Sequence, residues 1–148
     1  MKVIKGNLID KFMDSEFQVI ILGINCYRTK EEGIITEVFE RLPEVDFADK
    51  MYLGDGDFDK LSTYNTACIR REDNTVGVVA SLYTKFEPGK IHEDALTLGF
   101  KRLALDLSRG DTKIGIPVDI AEGNWETIKP KIVEIMEGHD VTFVEYEQ

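Results

Sequence analysis

The alternation of apolar and polar positions divides the chain into short strands and amphipathic helices. Residues 17–24 form an apolar run with the length and β-branched content of a buried strand. Apolar residues recur at helical spacing over 34–42, where Pro43 ends the segment, and again over 95–107, where Gly110 follows. The spacing therefore predicts strands and helices that alternate along the chain.

The other segments complete this pattern. Two strands joined by a polar turn of Glu, Asp and Asn are predicted as an antiparallel hairpin over 63–70 and 76–83. Further strands are predicted at 3–6, 113–118 and 141–146, and a helix at 125–136 whose regular part begins near Lys129 because of Pro130. The prediction is a single α/β domain over 1–148, a three-layer α/β/α fold with a mixed, mostly parallel sheet.

Composition narrows the classes of function. The chain has 148 residues and a net charge of −10, without a basic stripe, so a nucleic-acid duplex is not an expected partner. No apolar stretch approaches the thickness of a bilayer and no leader follows Met1, so we expect a cytoplasmic protein without a membrane contact. Cys26 and Cys68 lie in apolar strand patterns, which favours two buried thiols over a disulfide.

No metal or cofactor site is expected from the sequence. Residues 55–60 begin like a calcium loop, but Lys60 replaces the Gly of the sharp bend and Thr66 replaces the bidentate Glu. His92 and His139 have no ligand partner at metal spacing, and His92 resembles the opening of a helix. In an α/β sheet, ligands bind where strands end in loops, which indicates residues 25–33 and 118–125.

Four segments carry a resemblance to a known family. They are Ile4-Lys5-Gly6-Asn7-Leu8-Ile9, Gly23-Ile24-Asn25-Cys26, Gly33-Ile34-Ile35 with Leu42-Pro43-Glu44, and Gly115-Ile116-Pro117 followed by Gly123-Asn124-Trp125. In this order they resemble a macro domain, and most of all the ADP-ribose 1″-phosphate phosphatases of yeast and bacteriophages. The resemblance implies a cleft for ADP-ribose at the strand ends, where backbone N–H groups hold the diphosphate without a net positive charge.

The resemblance also implies roles for individual residues. Asn7 takes the place of an Asp that accepts a hydrogen bond from the adenine amine, unless it only shapes the turn after Gly6. Asn25 matches an Asn that binds the distal ribose, with an Asx-turn as the alternative. The implied ligand-binding set is Gly6, Asn7, Leu8, Asn25, Gly33, Gly123, Asn124, Trp125 and Tyr146, with packing as the alternative for the two aromatic residues.

The phosphate-binding loops depart from the family pattern. Residues 28–33 and 118–124 keep one Gly each, and Leu22 stands where the phosphatase branch commonly has a His. The catalytic candidates are then Asn25, Asp119 and Glu122. The two carboxylates are candidates for a general base, and the alternative is that they are solvated or cap a helix.

Two functions follow from this sequence. The first is binding of ADP-ribose or a related nucleotide, with hydrolysis of ADP-ribose 1″-phosphate or of an ADP-ribosyl linkage as a further activity. The alternative is a non-catalytic relative whose cleft is closed by Glu31, Glu32 and the short second loop, and whose acidic surface binds a protein partner.

Overall fold

A computed structural model describes residues 1–147 and consists of one six-stranded sheet with helices on both faces. The strands are β1 (Lys2–Gly6), β2 (Val19–Asn25), β3 (Tyr64–Arg70), β4 (Val76–Lys85), β5 (Lys113–Pro117) and β6 (Asp140–Tyr146). The helices are α1 (Leu8–Met13), α2 (Ile34–Arg41), α3 (Pro43–Met51), α4 (Glu93–Asp106) and α5 (Trp125–Ile135), with 3₁₀ turns at Phe58–Lys60 and Val118–Ala121. The predicted α/β class is confirmed.

The sheet is mostly parallel, as predicted. Its strand order is β1-β6-β5-β2-β4-β3, and only β3 runs antiparallel, against β4. Every residue of the central strand β2 is buried because both of its faces are covered. Ile20, Leu22 and Ile24 face α1, α2 and α3, whereas Val19 and Ile21 face α4 and α5. The result is the three-layer arrangement.

The sequence pattern missed two helices. α1 has only six residues and follows Asn7, whose side chain accepts a hydrogen bond from the Asp10 N–H and caps the helix. Pro43, predicted to end a helix, instead begins α3, since the missing N–H of proline has no partner to lose in a first turn. This second helix ends at Met51.

Two further predictions are wrong. Helix α5 begins at Trp125 and contains Pro130, rather than beginning near Lys129. Ile128 and Ile132 are fully buried against the sheet, and this packing stabilises the helix despite the proline. Cys68 is exposed rather than buried, because alternate residues of the edge strand β3 point to solvent, while Cys26 is buried as predicted.

No helix within residues 1–147 combines the length and apolar character that crossing a membrane requires.

Candidate functional site

A cavity of about 310 Å³ opens at the carboxyl ends of the two central strands. β2 and β5 are neighbours and pair at Val19–Ile114 and Ile20–Gly115. After β2 the chain continues to the edge of the sheet that holds β4 and β3, and after β5 it continues to the opposite edge, which holds β6 and β1. The loops that follow two such neighbouring strands diverge and leave a crevice between them. The cavity lies between loop 1, residues 26–33, and loop 2, residues 118–124.

The lining of this cavity is acidic, with apolar residues beneath the charged ones. The charged residues comprise four carboxylates and one ammonium: Glu31, Glu32, Asp119, Glu122 and Lys85. The others are Gly23, Ile34, Ile35, Pro117, Ile120 and Gly123. Gly23 has no room for a side chain, because a Cβ there would lie 2.8 Å from Thr84 Oγ1 and 3.0 Å from Ile120 Cγ1.

Lys85 joins the two loops. Its side chain is 3% exposed, and Nζ lies 2.8 Å from Glu31 Oε2 and 2.5 Å from Glu122 Oε1. The other oxygen of Glu31 accepts a hydrogen bond of 2.6 Å from the Gly89 N–H. One carboxylate from each loop therefore neutralises a buried ammonium at the end of β4, which is the arrangement that a buried charge requires.

Asn25 organises loop 1 from beneath. It is 2% exposed and does not line the cavity. Its Oδ1 accepts hydrogen bonds from the N–H groups of Tyr27 (3.0 Å) and Thr29 (3.2 Å), and its Nδ2 donates to Thr29 O (2.8 Å) and Glu31 Oε2 (3.2 Å). The side chain makes the Asx-turn that was the alternative to a ribose contact, and it uses its hydrogen-bonding capacity within the loop.

Asp119 is an exposed residue at the cavity, and the surrounding structure changes the pKa of its carboxyl. Burial raises the pKa of its carboxyl above the usual range, and the charges of Glu122 and Glu145 raise it further. Its Oδ2 lies 3.9 Å from the position of a Cβ on Gly33, so the group approaches the start of α2 across the cleft. Of the predicted general bases, Asp119 has no ion pair among the described contacts, whereas Glu122 binds Lys85.

We expect Asp119→Asn to raise the melting temperature at neutral pH. Because folding raises the pKa of Asp119, its ionised form is destabilising above the folded-state pKa. That penalty disappears as pH falls through this value toward the unfolded value near 3.8, so the gain from the amide shrinks in acid. Thermal melts at neutral and mildly acidic pH measure this, with Asp111→Asn, at an exposed position outside the cavity, as the control. An equal gain at every pH contradicts the expectation.

Asn7 and Tyr146 meet at a different carboxylate. Asn7 Nδ2 donates a hydrogen bond of 3.0 Å to Glu37 Oε1, and the Tyr146 hydroxyl donates to Glu37 Oε2. Burial raises the pKa of Glu37, but these bonds and Arg41 outweigh it, and the pKa is lowered. The ends of β1 and β6 are thereby tied to α2.

The remaining predicted residues separate into packing and loop positions. Leu8 is buried in the core, and the Trp125 ring packs edge-on against Phe143 at 5.0 Å. Gly6 ends β1, Gly33 precedes α2 with φ 91°, and Gly123 lines the cavity with φ 82°. Asn124 precedes α5 and donates to Glu93 Oε1 at 3.2 Å. The cavity thus unites Asp119, Glu122 and Gly123 of the predicted set.

Sequence reasoning missed Lys85, Thr84 and Glu37. The hairpin prediction ended β4 at Tyr83, whereas the strand continues to Lys85. Polar residues at the end of an apolar strand, here Thr84 and Lys85, are the signal that could have found them, because ligands bind at strand ends. Thr84 lies at a register shift between β2 and β4, and its buried Oγ1 has no hydrogen-bond partner. Within residues 1–147, no cluster of His, Cys, Asp and Glu side chains has the arrangement of a metal site.

A buried polar network lies behind loop 1. The Tyr83 hydroxyl donates to Asp49 Oδ1 at 2.6 Å, and Arg28 Nε lies 3.6 Å from Asp49 Oδ2. Lys60, which is fully buried, donates to Cys26 O at 3.2 Å and lies over the Tyr83 ring. This network fixes the segment that follows Asn25.

Comparison with known proteins identifies the fold. No protein-family model matches the chain, and no curated protein is similar in sequence. Among solved structures, the macrodomain of Thermus aquaticus DarG has a TM-score of 0.72 at 16% identity, over 99% of this chain and 97% of that one. The chain has the macrodomain fold.

Other structures extend the comparison. A Bacteroides thetaiotaomicron protein has a TM-score of 0.75 at 16% identity, over 99% of both chains. A Trypanosoma brucei macrodomain in complex with ADP-ribose has a TM-score of 0.60 at 12% identity, over 99% of this chain and 64% of that one. The resemblance read from the four segments is thus confirmed as a macrodomain fold, without distinction of a phosphatase branch.

Proposed function

We propose that the chain, acting as one domain over 1–148, binds ADP-ribose or a related nucleotide in the cleft between loops 1 and 2. The observation that carries the proposal is the cavity at the carboxyl ends of β2 and β5, on a macrodomain fold. Its volume of about 310 Å³ lies at the lower end of the range for small-molecule sites. The Trypanosoma brucei protein with the same fold is in complex with ADP-ribose.

The polar groups around the cleft suit a ribose and a diphosphate. Glu32 and Asp119 offer acceptors for ribose hydroxyls. Gly33 and Gly123, both at positive φ, free backbone N–H groups for phosphate oxygens beside the start of α2 and after β5. Near the ends of β1 and β6, Glu37 offers a carboxylate acceptor for an adenine amine that displaces its hydrogen bond with Asn7 or Tyr146.

Isothermal titration calorimetry with ADP-ribose and ADP-ribose 1″-phosphate tests this proposal, with inosine monophosphate as the adenine-free comparison. We expect heat with the two ADP-ribose compounds, and at a ligand concentration of 100 times Kd a stabilisation of about 2.7 kcal/mol in thermal melts. A folded protein that gives neither heat nor a melting shift with either compound would refute the proposal.

Hydrolysis is the further activity of this proposal. Asp119 is the group we assign as general base for an attacking water, since its raised pKa brings its proton affinity closer to the operating range. Leu22 is buried in β2, so no His stands at that position to share the task. Phosphate release from ADP-ribose 1″-phosphate, compared between the unmodified chain and Asp119→Asn, separates turnover from binding.

Protein binding is the second candidate, and one observation favours it. Glu31 lies in the cleft and is held there by Lys85, Gly89 and Asn25, so its carboxylate occupies part of the space between the loops. A relative with a closed cleft would use its acidic surface instead. Nucleotide-induced stabilisation of the protein, with no partner retained in pull-downs at low salt, argues against this candidate.

A further inference from the structure

The groups around Lys85 differ in how firmly they are held. Lys85 and Thr84 end β4, which lies between β2 and β3 in the sheet, and both side chains are almost completely buried. Glu31 and Glu122 belong to loops 1 and 2, and their side chains are 16% and 32% exposed. The fixed groups can donate hydrogen bonds, whereas the groups that can turn toward water are acceptors.

Thr84 adds an independent sign of an unfilled site. Its Oγ1 is buried and has no hydrogen-bond partner, although buried hydroxyls normally have one. The hydroxyl adjoins Gly23, which lines the cavity and has no side chain to cover it. Lys85 thus lines the cavity, and the unsatisfied Thr84 hydroxyl lies behind Gly23, which lines the same cavity.

We propose that Lys85 is the anion contact of the cleft, and that in the unliganded protein Glu31 and Glu122 occupy the place of the anionic oxygens of the ligand. This inference rests on the proposed nucleotide binding and adds the residue that recognises the negative charge of the nucleotide. A phosphate group enters by displacing one or both carboxylates, which then turn outward to water. Loops 1 and 2, now joined through Lys85, separate in the same step.

The geometry explains how an acidic cleft can accept an anion. Before binding, the two carboxylates next to Lys85 neutralise a charge that would be costly to leave buried alone. The diphosphate of ADP-ribose carries one negative charge on each phosphate and offers the same kind of oxygen acceptors, so the buried ammonium keeps a partner. The displaced carboxylates regain water, while Glu32 and Asp119 still repel the ligand and limit its affinity.

The test removes the two carboxylates that compete for Lys85 and, in a separate variant, the Lys85 ammonium itself. We expect the double variant Glu31→Gln with Glu122→Gln to bind ADP-ribose about tenfold or more tightly, because charge-assisted competition for Lys85 is lost. Lys85→Met is expected to weaken binding by a similar factor, and Lys85→Arg to retain most of it. Calorimetry measures each, and the exposed positions changed in Glu40→Gln and Lys101→Met are the matched controls.

Pyrophosphate distinguishes the failure of this inference from the failure of nucleotide binding. The double Gln variant should bind pyrophosphate, and adding Lys85→Met to it should abolish that binding. Because the triple variant removes the ammonium together with both of its carboxylate partners, it can replace Lys85→Met if that single variant does not fold. Pyrophosphate binding without ADP-ribose binding refutes only the proposed function. Equal affinities with and without Lys85, weaker ADP-ribose binding in the double Gln variant, or no pyrophosphate binding would each overturn the inference.

Discussion

Asp49→Ala is expected to lower the free energy of unfolding by about 3–5 kcal/mol, the usual cost of removing one partner from a buried ion pair. Asp49 is 1% exposed and accepts the hydroxyl hydrogen bond of Tyr83. Without it, the fully buried Lys60 ammonium loses a favourable charge interaction, and Arg28 loses its buried partner. Urea unfolding with an unchanged m-value measures the loss.

Two variants show whether charge or packing causes this effect. Asp46→Ala removes a half-buried carboxylate that also pairs with Arg28, at 3.1 Å, and should cost less than about 1 kcal/mol. Asp49→Leu combined with Lys60→Met removes both charges and should be markedly more stable than Asp49→Ala alone. If the double variant is as unstable as the single one, the uncompensated Lys60 charge is not the cause.

Asn25→Ala is expected to loosen loop 1 and abolish the stabilisation by ADP-ribose. The change leaves the N–H groups of Tyr27 and Thr29 without their acceptor, and a hydrogen bond of this kind contributes about 0.5–1.5 kcal/mol to stability. It also removes a hydrogen bond to Glu31, a residue that we place at the entrance to the cleft. Melting curves with and without ADP-ribose measure both effects.

Hydrogen exchange gives a readout that is specific to loop 1. The amides of Tyr27 and Thr29 should exchange faster in Asn25→Ala, while those of the central strand β2 keep their protection. Thr66→Ala is the control, since Thr66 is exposed on the edge strand β3, away from the cleft. Unchanged exchange at Tyr27 and Thr29 together with an unchanged ligand shift would remove Asn25 from both roles.

The fold could be predicted because its signals are local. The apolar run of β2, the helical spacing of α2 and α4 and the turn at 72–74 each lie within a single segment. α1 was missed because it is too short for periodicity to be visible, and its signal was the cap at Asn7. α3 was missed because Pro43 was taken as a stop, although proline is equally suited to a first turn.

The site could be predicted only in part. The two loops predicted from the strand ends border the cavity, since the carboxyl ends of β2 and β5 meet at the centre of the sheet. The ion pairs within the site could not be predicted, because Lys85 contacts Glu31 and Glu122 only after distant parts of the chain fold together. Asn25 was assigned to the site from its position, but its partners within the loop depend on the backbone path that follows it.

The two cysteines differ in burial and reactivity, which allows the protein to be labelled at a single site. Burial raises the pKa of the Cys26 thiol to about 11, which keeps it protonated and unreactive in the folded state. Cys68 is exposed on the edge strand β3, separated from the cleft strand β2 by β4. A maleimide dye added to the native protein therefore attaches at one position, and it reports on ligand-induced movement without occupying the cleft.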